Sequence, residues 1–221
     1  MEGCSNKVMS KQNIFCDIGF RPKIFLASAY QSSIQEMEPF FVSTLVVTIS
    51  EIGDKTQLLA LLLAARFRKP LPIIGGIFLA TLLNHGLAGI VGEMIRRALD
   101  PHVLRWLLGL SFIAIAIWAL KPDSMENDAV PQSAYGVFAL TFITFFLAEI
   151  GDKTQLATVT LAAKYPSLIQ VVMGTTLGML IADVPAVLLG EKVAHKLPLK
   201  LIRLIAAAIF TTLGIIILVT G

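Results

Sequence analysis

Charge is scarce in this sequence: 15% of its 221 residues are Asp, Glu, Lys or Arg, against 56% that are apolar. With a mean hydropathy of +0.78, that balance excludes an ordinary soluble domain. Cysteine is scarcer still. Cys4 and Cys16 both precede the first long apolar run, and no Cys-x-x-Cys or Cys/His cluster occurs, which excludes a disulfide framework and a thiolate zinc site. The chain also lacks a phosphate-cradling glycine loop and a Ser or Cys nucleophile with a paired base near its polar motifs, so it does not read as an enzyme and calls for no cofactor. No polar segment is long enough to fold as a soluble domain of its own. The formal charge of +3 sits on Lys and Arg at the ends of apolar runs, a membrane pattern rather than a nucleic-acid one.

What the chain has is six apolar runs, at 39–65, 71–92, 103–120, 133–163, 168–190 and 201–220, each close to the roughly 20 residues needed to cross a bilayer. The expected fold is an all-α integral membrane protein with six transmembrane helices. Residues 1–37 read as a tail or a misplaced start, because Asp17, Arg21 and Lys23 interrupt any signal-peptide core and Met37 stands directly before the first run. No seventh helix and no function are expected there.

The octapeptide Glu51 to Leu58 recurs unchanged at Glu149 to Leu156, an offset of 98 residues. The same offset aligns Ala64 and Ala65 with Ala162 and Ala163, Gly76 with Gly174, Gly92 and Glu93 with Gly190 and Glu191, Arg105 with Arg203, and Phe112 with Phe210. The chain is therefore one unit written twice: repeat 1 at 38–120, a polar linker at 121–132 and repeat 2 at 133–221. Three spans per repeat is an odd number, so the second copy enters the membrane from the opposite side, which gives the inverted repeats of secondary transporters. Lys and Arg are more numerous beside spans 1, 3 and 5 (Arg66, Arg68, Lys69, Lys121, Lys192, Lys196, Lys200, Arg203) than on the other side (Arg96, Arg97, Arg105, Lys164). The positive-inside rule then places both termini outside.

Each motif sets Glu, Asp and Lys inside an apolar run. Six charges at about 2.5 to 3.5 kcal/mol each, on the order of 15 to 20 kcal/mol together, exceed a typical folding stability of about 5 to 15 kcal/mol, so they must face one another, water or an ion. Helical spacing puts Glu51, Asp54 and Lys55 on one side of span 1, and Glu149, Asp152 and Lys153 on one side of span 4. Inversion of one repeat against the other would gather four carboxylates near the midplane. Oxygen donors from Glu51, Asp54, Thr56 and Gln57, with Glu149, Asp152, Thr154 and Gln155, suit Mn²⁺ or Ca²⁺ better than softer metals. Gly53 and Gly151 could loosen the helix and offer carbonyls to the ion. Because removal from water disfavours a charged carboxylate, the same acids are candidates to carry protons in exchange, with Lys55 and Lys153 limiting net charge in the empty state. Asn84 and Asp183, at membrane depth in the second span of each repeat, are supporting or proton-relaying candidates. For His85 a hydrogen-bonded packing role weighs at least as much as a functional one.

At Glu51-Ile-Gly-Asp-Lys-Thr and Glu149-Ile-Gly-Asp-Lys-Thr, over residues 38–221, the sequence resembles a family of small cation/proton antiporters with a doubled Glu-x-Gly-Asp-Lys-(Thr/Ser) signature. That family includes Golgi calcium and manganese transporters and bacterial manganese exporters. The resemblance implies six helices as two inverted three-helix repeats, with Glu51, Asp54, Glu149 and Asp152 binding the ion. Short loops, the absence of an Asn-x-Ser/Thr sequon and the end of the chain at its last span fit a bacterial cytoplasmic-membrane member. The expected activity is Mn²⁺/H⁺ antiport, with Ca²⁺/H⁺ exchange and, in another class, export of a small organic solute such as an amino acid as alternatives. The implied partners are the lipid bilayer, the cation and protons.

Overall fold

The computed structural model describes residues 22–121, 136–189 and 199–220. Cys4, Cys16, the linker beyond Lys121, Glu191, Lys192 and Lys196 lie outside the described residues. The chain divides into two units, Met1–Glu38 and Pro39–Gly221, and the site discussed below belongs to the second.

Among the described residues there are eight helices and no strands: α1 (Pro22–Glu51), α2 (Lys55–Phe67), α3 (Pro70–Ala98), α4 (Pro101–Ala119), α5 (Val137–Glu149), α6 (Lys153–Lys164), α7 (Leu168–Leu189) and α8 (Leu199–Thr220). α1 opens at Pro22, inside the segment expected as a tail. Four helices, α3, α4, α7 and α8, are long and apolar enough to cross a membrane. The other two expected spans are each interrupted within their motif, which divides 39–65 between α1 and α2, and 133–163 between α5 and α6.

The interruptions have a local cause. Gly53 and Gly151 take φ of 82° and 76°, in the left-handed region that glycine enters without the side-chain clash other residues suffer. The following Asp54 and Asp152 are extended and act as N-caps of α2 and α6. Asp54 accepts from the Lys55 backbone N–H at 2.8 Å, and Asp152 accepts from the Thr154 hydroxyl at 3.1 Å. Gln57 and Gln155, three residues after the caps, reach back to accept from the Gly53 and Gly151 N–H groups, each at 2.8 Å, a variant of the capping box. Outside the motifs the punctuation is conventional. α2 stops at Arg68, which has a left-handed φ of 53°, and Pro70 and Pro101 occupy the first positions of α3 and α4. Pro185 lies within α7, which continues past it.

Packing places small residues where helices approach most closely. A methyl group on Gly76 of α3 would stand 2.8 Å from Thr141 Cβ and 2.9 Å from the Phe138 carbonyl of α5. One on Gly174 of α7 would stand 3.0 Å from Ser43 Cβ and 2.5 Å from the Phe40 carbonyl of α1. These contacts are reciprocal across the 98-residue offset. Phe112 and Phe210, also 98 apart, stack with centroids 6.2 Å apart in a core shared by α4, α6 and α8. A second core joins α2, α3, α5 and α7 through Leu63, Ile77, Leu140 and Phe145. The outward faces are apolar, as at Leu71, Ile169 and Val219, each more than three-quarters exposed, the composition of a surface that meets lipid rather than water.

Candidate functional site

Four half-helix ends converge: the C-terminal ends of α1 and α5, carrying Glu51 and Glu149, and the N-terminal ends of α2 and α6, carrying Asp54 and Asp152. All four acids are buried to 2% exposure or less. Helix C-termini present partial negative charge, which favours a cation. No backbone hydrogen bond among the described residues reaches the carbonyls of Ile52, Gly53, Ile150 or Gly151, where the helices are broken.

One carboxylate oxygen each from Glu51, Asp54 and Asp152 lies within 4.8 Å of the others. Neither oxygen of Glu51 has a hydrogen-bond partner among the described residues. Across this cluster the lysines exchange partners between the motifs. Lys153 Nζ is 3.0 Å from an Asp54 oxygen, and Lys55 Nζ is 3.4 Å from an Asp152 oxygen. Lys153 is almost fully buried, whereas the Lys55 side chain is 33% exposed, so the first pair is held in the drier surroundings.

Glu149 is placed differently from its twin. It accepts from the Thr81 hydroxyl at 2.6 Å and from the Asn84 amide at 3.1 Å, both on α3, and it is not part of the three-acid cluster. Asn84 also donates to the Phe146 carbonyl at 2.9 Å and accepts from Gln155 at 3.1 Å, tying α3 to both halves of the second broken helix. At the equivalent position in α7, Ala182 has only a backbone carbonyl to offer, and it accepts from Gln57 at 2.9 Å. Position 179, equivalent to Thr81, is Met, which cannot donate a hydrogen bond. The two identical octapeptides therefore sit in unequal surroundings.

The remaining candidates divide. Gln57 and Gln155 serve the backbone of the break, with both ends of each amide engaged. Thr154 binds Asp152, while the Thr56 hydroxyl is buried without a partner among the described residues. Asp183 is fully buried, and neither of its oxygens has a hydrogen-bond partner among the described residues. His85 is buried, and neither ring nitrogen meets a partner among the described residues, so the hydrogen bond expected of it is not observed there. Thr81 was not anticipated from the sequence. Its position three residues before Asn84, on the same face of α3, is the signal that could have found it.

Residues 39–127 and 137–221 match the family described as divalent cation/proton antiporter GDT1. A Vibrio cholerae protein provisionally named a manganese exporter is 49% identical over 180 residues, covering 81% of this chain and 90% of that protein. GDT1-like protein 4 of Oryza sativa subsp. indica is 30% identical, covering 78% of this chain and 70% of its own length. A GDT1-like protein of Synechocystis is 27% identical, covering 80% of this chain and 95% of its own. No solved structure gives a significant match. With the family match spanning both copies of the motif, the chain belongs to the GDT1 family of divalent cation/proton antiporters.

Proposed function

We propose that this protein exports Mn²⁺ across a bacterial cytoplasmic membrane in exchange for protons, binding the ion between the two broken helices. The observation that carries the reading is the convergence of Glu51, Asp54 and Asp152 oxygens within 4.8 Å of one another in a buried setting. A three-carboxylate, thiol-free donor set suits a hard divalent cation and repels an anionic solute. The name of the Vibrio cholerae relative favours Mn²⁺ over Ca²⁺.

Charge balance supplies the coupling. Glu51, Asp54, Glu149, Asp152 and Asp183 stand against Lys55 and Lys153, so full ionisation leaves negative charge in excess. A divalent cation offsets part of that excess and protons offset it in the cation's absence, which makes the two alternative occupants of one set of oxygens. Lys153 compensates Asp54; a cation bound between the carboxylates would take over that compensation and displace the ammonium.

The reciprocal contacts at offset 98 support a two-fold relation between the repeats. We place its axis in the membrane plane, with both termini outside, so that rocking one repeat against the other opens the site to either side.

Expression in a bacterial strain lacking its own manganese exporter tests the reading through elemental analysis of the cells. The wild-type chain lowers cell manganese and restores growth in high Mn²⁺, and Glu51→Gln does neither. Equal rescue by Glu51→Gln would remove the carboxylate site, and a fall in cell calcium with manganese unchanged would replace the ion.

A further inference from the structure

α7 runs alongside the first broken helix and in step with it. Gly174 packs against the Phe40 carbonyl and Ser43 of α1, and Gly178 against the backbone of Thr44 and Thr48. The Thr48 hydroxyl donates to the Gly178 carbonyl at 3.3 Å. One turn further on, just past the break, the Ala182 carbonyl accepts from Gln57 at 2.9 Å. Asp183 is the next residue, so it stands at the level of Glu51 and Asp54. It is fully buried, and neither of its carboxyl oxygens meets a hydrogen-bond partner among the described residues. It is not part of the three-acid cluster, and no ion pair among the described residues includes it. Near the breaks, the elements packed against α7 carry Glu51 on α1, Asp54 and Lys55 on α2, His85 on α3, and Asp152 and Lys153 on α6. Glu149 of α5 is held against α3. Both lysines are committed, Lys55 to Asp152 and Lys153 to Asp54. The residue 98 positions before Asp183 is His85, also fully buried and without a partner for either ring nitrogen among the described residues. At this one position, each repeat holds a titratable group that its surroundings do not serve.

We propose that Asp183 carries the proton of the exchange while the three-acid cluster carries the cation. This rests on the export reading above and sharpens it: of the five acids that share the charge balance, one holds the proton. A carboxylate shut off from water, donors and cations is far less stable than the neutral acid, and such a group gives up its charge. Ionisable side chains of this kind inside spans serve as proton relays. A divalent cation seated among Glu51, Asp54 and Asp152 supplies the nearby positive charge that Asp183 otherwise lacks. The O–H bond of Asp183 then breaks, the electron pair stays on the carboxylate oxygen, and the proton passes to water on the side that is open. When the cation leaves, the carboxylate takes a proton back. The two substrates are thereby linked through charge without competing for the same oxygen atom.

Two transport modes of the full-length chain in proteoliposomes test this: net Mn²⁺ entry with internal pH recorded, and exchange of labelled external Mn²⁺ for internal Mn²⁺, which needs no proton. The wild type performs both. Asp183→Asn, close in shape to the neutral acid, keeps its melting temperature and its Mn²⁺ for Mn²⁺ exchange but loses net entry and the proton exit that accompanies it. Asp183→Glu, which restores a carboxyl group, recovers coupled entry. A merely structural role for Asp183 would move the two modes together. Coupled entry that survives in Asp183→Asn, or an Asp183→Asn chain that no longer folds, would overturn the proposal while leaving the export reading in place. Loss of both modes in a folded Asp183→Asn protein would overturn it too, by placing Asp183 among the ligands of the cation. A wild type that moves no Mn²⁺ in either mode would overturn the export reading and this assignment with it.

Discussion

Lys153 of the second motif reaches across to Asp54 of the first, Nζ to Oδ2 at 3.0 Å, so the charge that balances each motif comes from the other copy. Removing one partner of a buried pair leaves an uncompensated charge, which costs about 3 to 5 kcal/mol. Lys153→Met should therefore destabilise the protein strongly, and Asp54→Asn/Lys153→Met should cost clearly less than the two single changes added together. Thermal or denaturant unfolding in detergent measures the cycle, and additivity would mean that the pair does not interact.

The two glutamates should respond unequally. Glu149 is satisfied by Thr81 and Asn84, whereas the oxygens of Glu51 have no such donors among the described residues. Asn84→Ala deprives a buried carboxylate of a donor and should lower stability by about 1 to 3 kcal/mol. The mirror change Ala182→Asn adds a donor beside the first motif and should slow Mn²⁺ transport by restraining Glu51. Unfolding of the first variant and transport rates of the second are the measurements.

The breaks depend on a backbone that only glycine adopts freely. A methyl group at Gly151 would have nothing within 4 Å beyond its own chain neighbours, so Gly151→Ala meets only the left-handed backbone cost, about 1 to 2 kcal/mol. Gly151→Asn should be milder, since Asn tolerates that conformation. Melting temperatures of the three proteins should fall in the order Gly, Asn, Ala.

Close packing predicts a further contrast within α3. A methyl group at Gly92 would collide with the Val159 carbonyl of α6, whereas at Gly86 it meets nothing within 4 Å. Gly92→Ala should disrupt folding or expression. Gly86→Ala should be neutral or stabilise by about 0.5 to 1 kcal/mol, the usual gain from replacing a mid-helix glycine. Yield and thermal stability distinguish them.

Much of this was legible in the sequence because the decisive residues are duplicated. The repeated octapeptide marked the acids, the lysines and the glycines, and the 98-residue register already paired Phe112 with Phe210 before the structure stacked them. Hydropathy located the four helices long and apolar enough to cross a membrane but not the interruption of the other two apolar runs, since Ile52, Ile150 and the apolar residues around them keep each run continuous while Gly53 and Gly151 turn the backbone. The inequality of Glu51 and Glu149 could not be read from two identical motifs. It arises on α3 and α7, where the copies diverge at Thr81 against Met179 and Asn84 against Ala182, and the Thr81 to Glu149 bond joins residues 68 positions apart. The helix from Pro22 was equally hidden, because the mixed polar sequence before Met37 carries no transmembrane signature.

Proton-coupled transport through the Glu51, Asp54 and Asp152 cluster is tested most directly in proteoliposomes holding the purified chain, with Mn²⁺ supplied outside and separate dyes reporting internal metal and internal pH. The account predicts Mn²⁺ entry accompanied by proton exit, with both signals lost in Glu51→Gln. Mn²⁺ entry without a pH change, or unaltered coupled transport in Glu51→Gln, would contradict it.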